Sequence, residues 1–200
     1  METADQSGLV AVGGDLSSQR LKEAYYRGIF PWYEASQPVL WWSPDPRMVL
    51  FPEKLRISRS MQQLLKKDAF KVTFNKDFAA VIANCASAPR SGQNGTWITL
   101  EMQKAYKDLF RQGLVTSAEV WQGEELIGGL YGILLHDKRI FCGESMFSRQ
   151  SNASKFGFIK LVENLISQGI RLIDCQMYTE HLKSLGAEEI DREEFLKYLA

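Results

Sequence analysis

Apolar side chains recur every three or four residues in six segments of this chain, a spacing that predicts amphipathic helices. Ser, Thr, Asn or Asp residues precede several of these segments and Gly residues follow several of them, as is typical of helix caps. A shorter helix is predicted over 181–185. The six helices are predicted to carry Leu21, Ala24 and Tyr25; Met61, Leu64 and Leu65; Phe78, Val81 and Ile82; Met102, Tyr106, Leu109 and Phe110; Phe156, Ile159, Leu161, Leu165 and Ile166; and Phe195, Leu196 and Leu199.

Alternating apolar residues predict strands between these helices. One strand is predicted over 70–74, three antiparallel strands over 118–122, 125–136 and 139–147, and a buried strand over 172–176. The order of a β-meander, a helix, a strand and a short helix is similar to that of the GNAT (acyl-CoA N-acyltransferase-like) fold. The sequence therefore predicts an α+β protein with a GNAT-like domain.

The N-terminal segment has a different character, because aromatic residues and prolines alternate in it. Residues 30–33 and 41–47 contain too many prolines for a helix or a central strand, so they predict a rigid, irregular surface layer. We therefore expect a small N-terminal domain over 1–46 and the GNAT-like domain over 47–200. A loop is predicted over 89–94.

Composition and charge exclude several classes of protein. Lys and Arg number 24 and Asp and Glu also number 24, so a nucleic-acid partner would need a local basic patch. Lys66 and Lys67, near Arg56 and Arg59, form such a patch, although lysines are also common where they compensate a helix dipole. Three widely spaced cysteines and no long apolar run predict a cytoplasmic protein without disulfides and without a membrane partner.

A carboxylate and an amide lie two positions apart on the last predicted strand. Asp174 and Gln176 should point to the same face, whereas Ile173 and Cys175 point to the other. Burying an unpaired carboxylate costs several kcal/mol, so that face should open onto a polar cleft or a hydrogen-bond network. A catalytic role and a purely structural role are equally consistent with the pair alone.

Each of the remaining candidate residues or segments has a structural and a functional interpretation. Trp32 and Trp97 lie in predicted loops, where a tryptophan either packs between two domains or stacks on a nucleobase. His181 can supply a hydrogen bond or acid–base chemistry. The segment from Gly143 to Arg149 leads into a predicted helix. Its position at the helix N-terminus fits either an anion-binding site or an ordinary helix cap. No metal or nucleotide motif is present, and neither is the glycine-rich loop expected for acetyl-CoA, so no cofactor is predicted.

A series of short strings, several with rare combinations of Trp and Pro, runs through nearly the whole chain. The strings are GGDLS (13–17), GIFPW (28–32), WWSPDPR (41–47), GTWI (95–98), GESMFSR (143–149), ASK (153–155), IDCQ (173–176) and His181 with SLGA (184–187). In this order they resemble the signature of the leucyl/phenylalanyl-tRNA-protein transferases. The resemblance implies a GNAT-like catalytic domain behind a small N-terminal domain.

The resemblance also implies partners and site residues. The donor would be an aminoacyl-tRNA that carries Leu or Phe, and also Met, and the acceptor would be a protein with an N-terminal Lys or Arg that is thereby marked for degradation. By correspondence with the family, the functional residues would be Asp174 and Gln176 for catalysis; Trp32 and Trp97 at the charged tRNA end; Glu144 in the pocket; Leu130, Phe141, Met146, Leu161, Leu165 and Ile173 around the donor side chain; and Lys66 and Lys67 at tRNA phosphates.

The chemistry implied by this resemblance needs little beyond placement. The ester that joins an amino acid to tRNA is already activated, so amide formation needs a neutral amine, correct positioning and a stabilised oxyanion. We hypothesise that Asp174 takes a hydrogen bond or a proton from the attacking amine, while Gln176 steadies the tetrahedral centre. An acetyl-CoA-dependent N-acetyltransferase, a peptidoglycan-type aminoacyltransferase and a non-catalytic tRNA-end binder remain the alternatives.

Overall fold

A computed structural model of the chain describes residues 4, 5, 7–88 and 96–200. The loop predicted over 89–94 and the Gly95 of the GTWI string lie outside these residues. The helices are α1 (Ser18–Tyr26), α2 (Arg59–Lys66), α3 (Phe78–Ser87), α4 (Leu100–Arg111), α5 (Ala153–Ser167), α6 (Glu180–Ser184) and α7 (Arg192–Lys197). The strands are β1 (Leu9–Val12), β2 (Phe30–Pro31), β3 (Leu40–Trp42), β4 (Arg47–Leu50), β5 (Lys71–Phe74), β6 (Val115–Gln122), β7 (Glu125–Leu135), β8 (Ile140–Ser148), β9 (Leu172–Gln176) and β10 (Glu188–Ile190).

Side chains cap most helices where the sequence predicted them to begin. The hydroxyls of Ser17, Ser58 and Thr99 each accept a hydrogen bond from the backbone N–H three residues later, at the starts of α1, α2 and α4. The segment 191–194 predicts a box-like cap at Asp191 before the last helix, and this prediction is wrong, because the Asp191 carboxylate makes no capping bond. The Asp45 carboxylate accepts the N–H of Arg192 at 3.0 Å instead, so a residue remote in sequence caps α7.

A seven-stranded mixed sheet forms the centre of the molecule, with the strand order β10-β4-β9-β8-β7-β6-β5. The predicted meander is confirmed as β6, β7 and β8, which are antiparallel neighbours. Strand β9 lies parallel to β8, because α5 returns the chain to the same edge. The predicted α+β class is confirmed, and so is the order of elements on which the GNAT-like expectation depended.

Helices cover both faces of this sheet. Consecutive residues of β7 and β8 contribute to opposite layers, as Leu134 and Leu135 or Phe141 and Cys142 do. Helices α1, α3, α4 and α7 contribute to the hydrophobic layer that contains Cys142, and α5 packs in the layer that contains Phe141. The seven-stranded sheet is therefore buried on both sides, as its mainly apolar strands require.

The prediction of an irregular surface layer in the N-terminal segment is wrong. Strands β1, β3 and β2 form a small sheet with β3 at its centre, and Trp41 and Phe30 are 5% and 3% exposed. The prolines lie outside β3, and Pro31 lies in the edge strand β2, where a missing N–H is tolerated. The predicted boundary between residues 46 and 47 stays a prediction, although β4 of the larger sheet begins at Arg47.

Within the described residues, no helix combines the length and the apolar character that are needed to cross a lipid bilayer.

We expect Gly132→Ala to lower the free energy of unfolding by more than about 2 kcal/mol. A Cβ atom at Gly132 would lie 2.2 Å from the carbonyl oxygen of Cys142 and 2.5 Å from Cζ of Phe141, and a paired backbone cannot move away cheaply. Gly143, its partner across the β7–β8 pair, is the matched control, because a Cβ atom there would come no closer than 3.7 Å to another residue. Urea denaturation measures both variants, and equal losses would contradict the steric argument.

Candidate functional site

A cavity of about 540 Å³ lies against β7, β8 and β9, three adjacent inner strands of the large sheet. Its walls come from the N-terminal segment 30–32, from Trp97, from β7, β8 and β9, from the start of α5 and from the segment 177–182. The cavity brings together eight of the predicted site residues: Trp32, Trp97, Leu130, Phe141, Glu144, Met146, Ile173 and Gln176.

One part of this cavity is apolar and is built from cross-strand pairs. Leu130 pairs with Met146 between β7 and β8, and Phe141 pairs with Ile173 between β8 and β9. Phe158 of α5 adds a further ring that the sequence analysis did not include. The predicted pocket residues Leu161 and Leu165 do not line the cavity, although both are fully buried in the same hydrophobic layer. They pack in the same hydrophobic cluster as the cavity-lining residues Leu130, Phe141 and Ile173.

Two tryptophans border the cavity on the side of the N-terminal segment. Trp32 is held in place because the Nε1–H of Trp42 donates to its carbonyl oxygen at 2.7 Å, and the two rings meet edge to face with centroids 6.0 Å apart. Trp97 lies just before α4. Trp32 and Trp97 also line a neighbouring cavity of about 520 Å³. Their rings therefore present aromatic surface to both spaces.

The polar part of the cavity centres on the half-buried carboxylate of Glu144. Tyr25 Oη donates to Oε1 at 2.6 Å, Tyr106 Oη contacts Oε2 at 2.8 Å, and the Gln176 side-chain amide donates to Oε1 at 3.0 Å. Burial, and to a smaller extent the charge of Asp174, raise the pKa of Glu144 to about 7, against the opposing effect of the three hydrogen bonds. Glu144 is thus able to take up and release a proton near neutral pH.

A β-bulge places Glu144 in this position. Tyr131 pairs with Ser145 while Gly132 pairs with Gly143, so Glu144 is the extra residue of β8. Because the bulge shifts the alternation by one position, Glu144 contacts tyrosines from α1 and α4 while Met146 faces the apolar pocket. One irregularity therefore supplies both a polar and an apolar wall of the cavity.

Asp174 lies next to the cavity but does not line it. Its side chain is 1% exposed and forms a two-pronged ion pair with Arg47, at 2.8 Å from Nε to Oδ1 and 2.7 Å from Nη2 to Oδ2. Oδ1 also accepts the backbone N–H of Gln176 at 2.9 Å. Asp174 thereby holds Gln176 in a left-handed conformation (φ 66°). The geometry favours an orienting role for Asp174 over direct contact with a substrate.

Aromatic rings enclose the Arg47 guanidinium. Its Cζ atom lies 5.0 Å from the ring centroid of Phe30 and 4.6 Å from that of Phe195. Arg47 therefore joins four parts of the chain: the N-terminal segment, β4, β9 and α7.

The remaining predicted residues lie elsewhere. Lys66 and Lys67 are exposed at the end of α2 and do not line the cavity. His181 does line it, and burial together with the charge of Lys155 lowers the pKa of its ring. Cys175 lines it as well, but burial raises the pKa of its thiol, which opposes a nucleophilic role. Among the described residues, no group of three His, Cys, Asp or Glu side chains could hold a metal ion.

Sequence reasoning missed three polar residues of the site: Arg47, Tyr25 and Tyr106. Tyr25 and Tyr106 were assigned only to apolar helix faces, where they are indeed 2% and 0% exposed. A buried phenol needs a hydrogen-bond partner, and this was the available signal. Nothing local in the sequence connects Arg47 with Asp174, which lies 127 residues later.

Comparisons with known proteins give consistent matches. The family model for leucyl/phenylalanyl-tRNA protein transferase matches residues 49–200, and the model for the N-terminal domain of these proteins matches 14–45. Two proteins named leucyl/phenylalanyl-tRNA–protein transferase illustrate the similarity. The one from Christiangramia forsetii is 64% identical over 98% of this chain and 92% of its own length, and the one from Azotobacter vinelandii is 58% identical over 96% and 84%.

The solved structures that match have much lower sequence identity than these two proteins. A structure of L-PGS from Bacillus licheniformis has a TM-score of 0.46 and 11% identity, over 66% of this chain and 46% of that one. A GCN5-related N-acetyltransferase from Kribbella flavida has a TM-score of 0.41 and 9% identity, over 81% and 56%.

We expect Asp174→Asn to lower the free energy of unfolding by about 3–5 kcal/mol, because the buried Arg47 guanidinium would lose its counter-charge. The side-chain volume hardly changes, so the loss reports the charge. The control is Glu188→Gln, which breaks the half-exposed ion pair with Lys54 and should cost less than about 1 kcal/mol. Urea denaturation measures the free energy of unfolding of both variants. A loss of stability in Asp174→Asn as small as that in Glu188→Gln would contradict the prediction.

Proposed function

Because this chain belongs to the leucyl/phenylalanyl-tRNA protein transferase family, we propose that it transfers Leu, Phe or Met from aminoacyl-tRNA to the N-terminal Lys or Arg of acceptor proteins and so marks them for degradation. The chain is an aminoacyl-tRNA–protein transferase, and its substrates are an aminoacyl-tRNA and a protein. One observation supports the proposed choice of donor and acceptor: a single cavity combines an apolar pocket, two tryptophans and the Glu144–Gln176 pair.

The donor side chain occupies the apolar part of the cavity. Leu130, Phe141, Met146 and Ile173 provide contacts without a charged group, which suits Leu, Phe and Met. These three side chains are unbranched at Cβ, whereas Val and Ile carry a branch next to the ester, so a pocket that opens at the ester end should accept the three and disfavour Val and Ile. Flexible Met146 adapts the pocket to both aliphatic and aromatic donors.

The tRNA end lies on the aromatic side. Trp32 and Trp97 border the cavity and can stack on the terminal nucleobase, which places the ester between them and the apolar pocket. Lys66 and Lys67 contact phosphates further along the tRNA, an interaction that would depend on salt.

Glu144 is the proton acceptor of the reaction. Its two oxygens offer about four acceptor positions, and Tyr25, Tyr106 and Gln176 occupy three of them. The remaining position on Oε2 receives the α-ammonium group of the acceptor and takes its proton. Glu144 therefore replaces Asp174 in the role hypothesised from the sequence, and Asp174 acts through the backbone of Gln176 as a positioning residue.

The reaction then balances as follows. The neutral amine nitrogen attacks the ester carbonyl carbon, a C–N bond forms, and the C–O bond to the tRNA ribose breaks. The proton held by Glu144 passes to the departing ribose oxygen, and the second proton that the nitrogen loses on becoming an amide goes to solvent. The second N–H of the Gln176 amide is free of the Glu144 contact and can steady the oxyanion of the tetrahedral centre. Exposed Glu180, next to the cavity-lining residues Thr179 and His181, is placed to attract the cationic side chain of the acceptor.

We expect the chain to join Leu and Phe from charged tRNA to a protein that begins with Arg, and Glu144→Gln to lower kcat/KM at least about a hundredfold by removing the base. Transfer of labelled amino acid to the N-terminus measures both. Glu163→Gln in the C-terminal half of α5 is the control, since Glu163 does not line the cavity.

Three outcomes would overturn parts of this proposal. Full activity of the Glu144→Gln variant would reject the role of Glu144. Binding of charged tRNA without transfer would select the tRNA-end binder, and acetyl transfer from acetyl-CoA would select the N-acetyltransferase.

We expect Met146→Ala to lower kcat/KM for Leu about tenfold, because the shorter donor loses apolar contact. Phe should lose less, since its ring can fill the space that Met146 leaves, so the Leu-to-Phe ratio should fall. Ile166→Ala, an exposed apolar truncation on α5, is the control and should leave the ratio unchanged. Competition between the two charged tRNAs measures the ratio, and an unchanged ratio in Met146→Ala would remove Met146 from the pocket.

A further inference from the structure

The oxygens of Tyr25, Tyr106 and Glu144 form a closed triangle of short contacts. The two phenol oxygens lie 2.5 Å apart, and they lie 2.6 Å and 2.8 Å from the two carboxylate oxygens of Glu144. Two phenols carry only two hydrogens, so an ionised Glu144 leaves one of the three contacts without a hydrogen. Both phenols donate to Glu144, so both hydrogens stabilise the ionised carboxylate.

We propose that Tyr25 and Tyr106 are positioning residues that keep Glu144 able to exchange a proton with the acceptor amine at neutral pH. The inference rests on the role of Glu144 in the proposed function. The proton taken from the α-ammonium group binds the unoccupied position of Oε2, while both phenol hydrogens stay on their own oxygens. The same proton leaves again towards the ribose oxygen when the ester bond breaks.

Several groups act on the charge of Glu144, from every element packed around it. Asp174 on β9 opposes ionisation, although Arg47 on β4 partly neutralises it. Tyr25 on α1, Tyr106 on α4 and Gln176 on β9 favour the ionised form through hydrogen bonds.

Two further groups complete the surroundings. Tyr131 on β7 packs against Tyr106, with ring centroids 5.8 Å apart, and Cys142 lies on the same strand as Glu144. Burial raises the pKa of the Cys142 thiol, which keeps it uncharged near neutral pH.

The direction of the phenol effect follows from the strengths of the bonds. A hydrogen bond to an ionised carboxylate is about twice as strong as one between neutral groups. Removing a phenol therefore destabilises ionised Glu144 more than protonated Glu144, and the pKa of Glu144 rises. Because burial already holds this pKa at about 7, a further rise would leave Glu144 protonated and inactive as a base at neutral pH.

The two phenols come from separate parts of the chain. Tyr25 lies on the buried face of α1, in the N-terminal segment, and Tyr106 lies on the buried face of α4. Both helices must dock on the same side of the large sheet for the triangle to form. The N-terminal segment thereby contributes to the acid–base chemistry as well as to the tRNA side of the cavity.

The test is the pH dependence of kcat/KM for an Arg-starting acceptor in Tyr25→Phe and Tyr106→Phe. We expect the acid limb of each profile to move up by about one pH unit. Transfer should thus fall about fivefold at pH 7 and recover to within about twofold at pH 9. The titration of the acceptor amine is common to all variants, so it cancels in the ratio to the unaltered chain.

Tyr26→Phe is the matched control. Tyr26 is the next residue of α1, and its hydroxyl donates to Asp137 at 2.5 Å, away from the cavity lining. We expect its profile to coincide with that of the unaltered chain. Thermal unfolding verifies that each variant is folded, and if one tyrosine variant does not fold, the other carries the test.

The outcomes separate this inference from the proposed function. A uniform loss at all pH values, or an equal shift in Tyr26→Phe, would show that the hydroxyls do not tune Glu144 and would overturn the inference. If the unaltered chain transfers but Glu144→Gln keeps the same acid limb in its residual activity, another group titrates and the inference also fails, while the transfer function stands. If the unaltered chain transfers nothing, the proposed function fails.

Discussion

The buried ion pair between Arg47 and Asp174 is the constraint on which the rest of the site depends. Both side chains are 1% exposed, so each charge is tolerated only because the other is there. The pair joins β4 to β9, and the rings of Phe30 and Phe195 enclose it. Asp174 then fixes the backbone of Gln176, and the Gln176 amide holds Glu144. The positions of Gln176 and Glu144 therefore depend on a buried interaction outside the cavity lining.

Glu144 is under opposing influences, of which burial is the strongest. Burial and the neighbouring carboxylate disfavour its charge, whereas two phenols and an amide favour it, and a pKa of about 7 is the result. Such a balance suits a group that must accept a proton and then release it within one reaction cycle. It also explains why the N-terminal segment is required close to the large sheet, since Tyr25 provides one of the balancing hydrogen bonds.

The apolar and polar halves of the cavity are adjacent because one bulge changes the alternation of β8. Glu144 and Met146 would share a face in a regular strand. With the bulge, Glu144 meets the tyrosines while Met146 pairs with Leu130 beside the donor pocket. An apolar pocket and a carboxylate with a pKa of about 7 therefore lie side by side, as the proposed transfer requires.

Local patterns in the sequence determined the helices, the meander and strand β9, because amphipathic spacing and capping residues act over a few positions. The strings around Trp32, Glu144 and Asp174 also indicated the family that the comparisons show. Contacts between distant positions were decided only by the tertiary structure. Arg47 meets Asp174, Asp45 caps α7, Tyr25 and Tyr106 meet Glu144, and Leu161 and Leu165 lie behind the pocket. Local spacing carries no information on which buried polar groups become partners, since that choice depends on how sheets and helices close around one another.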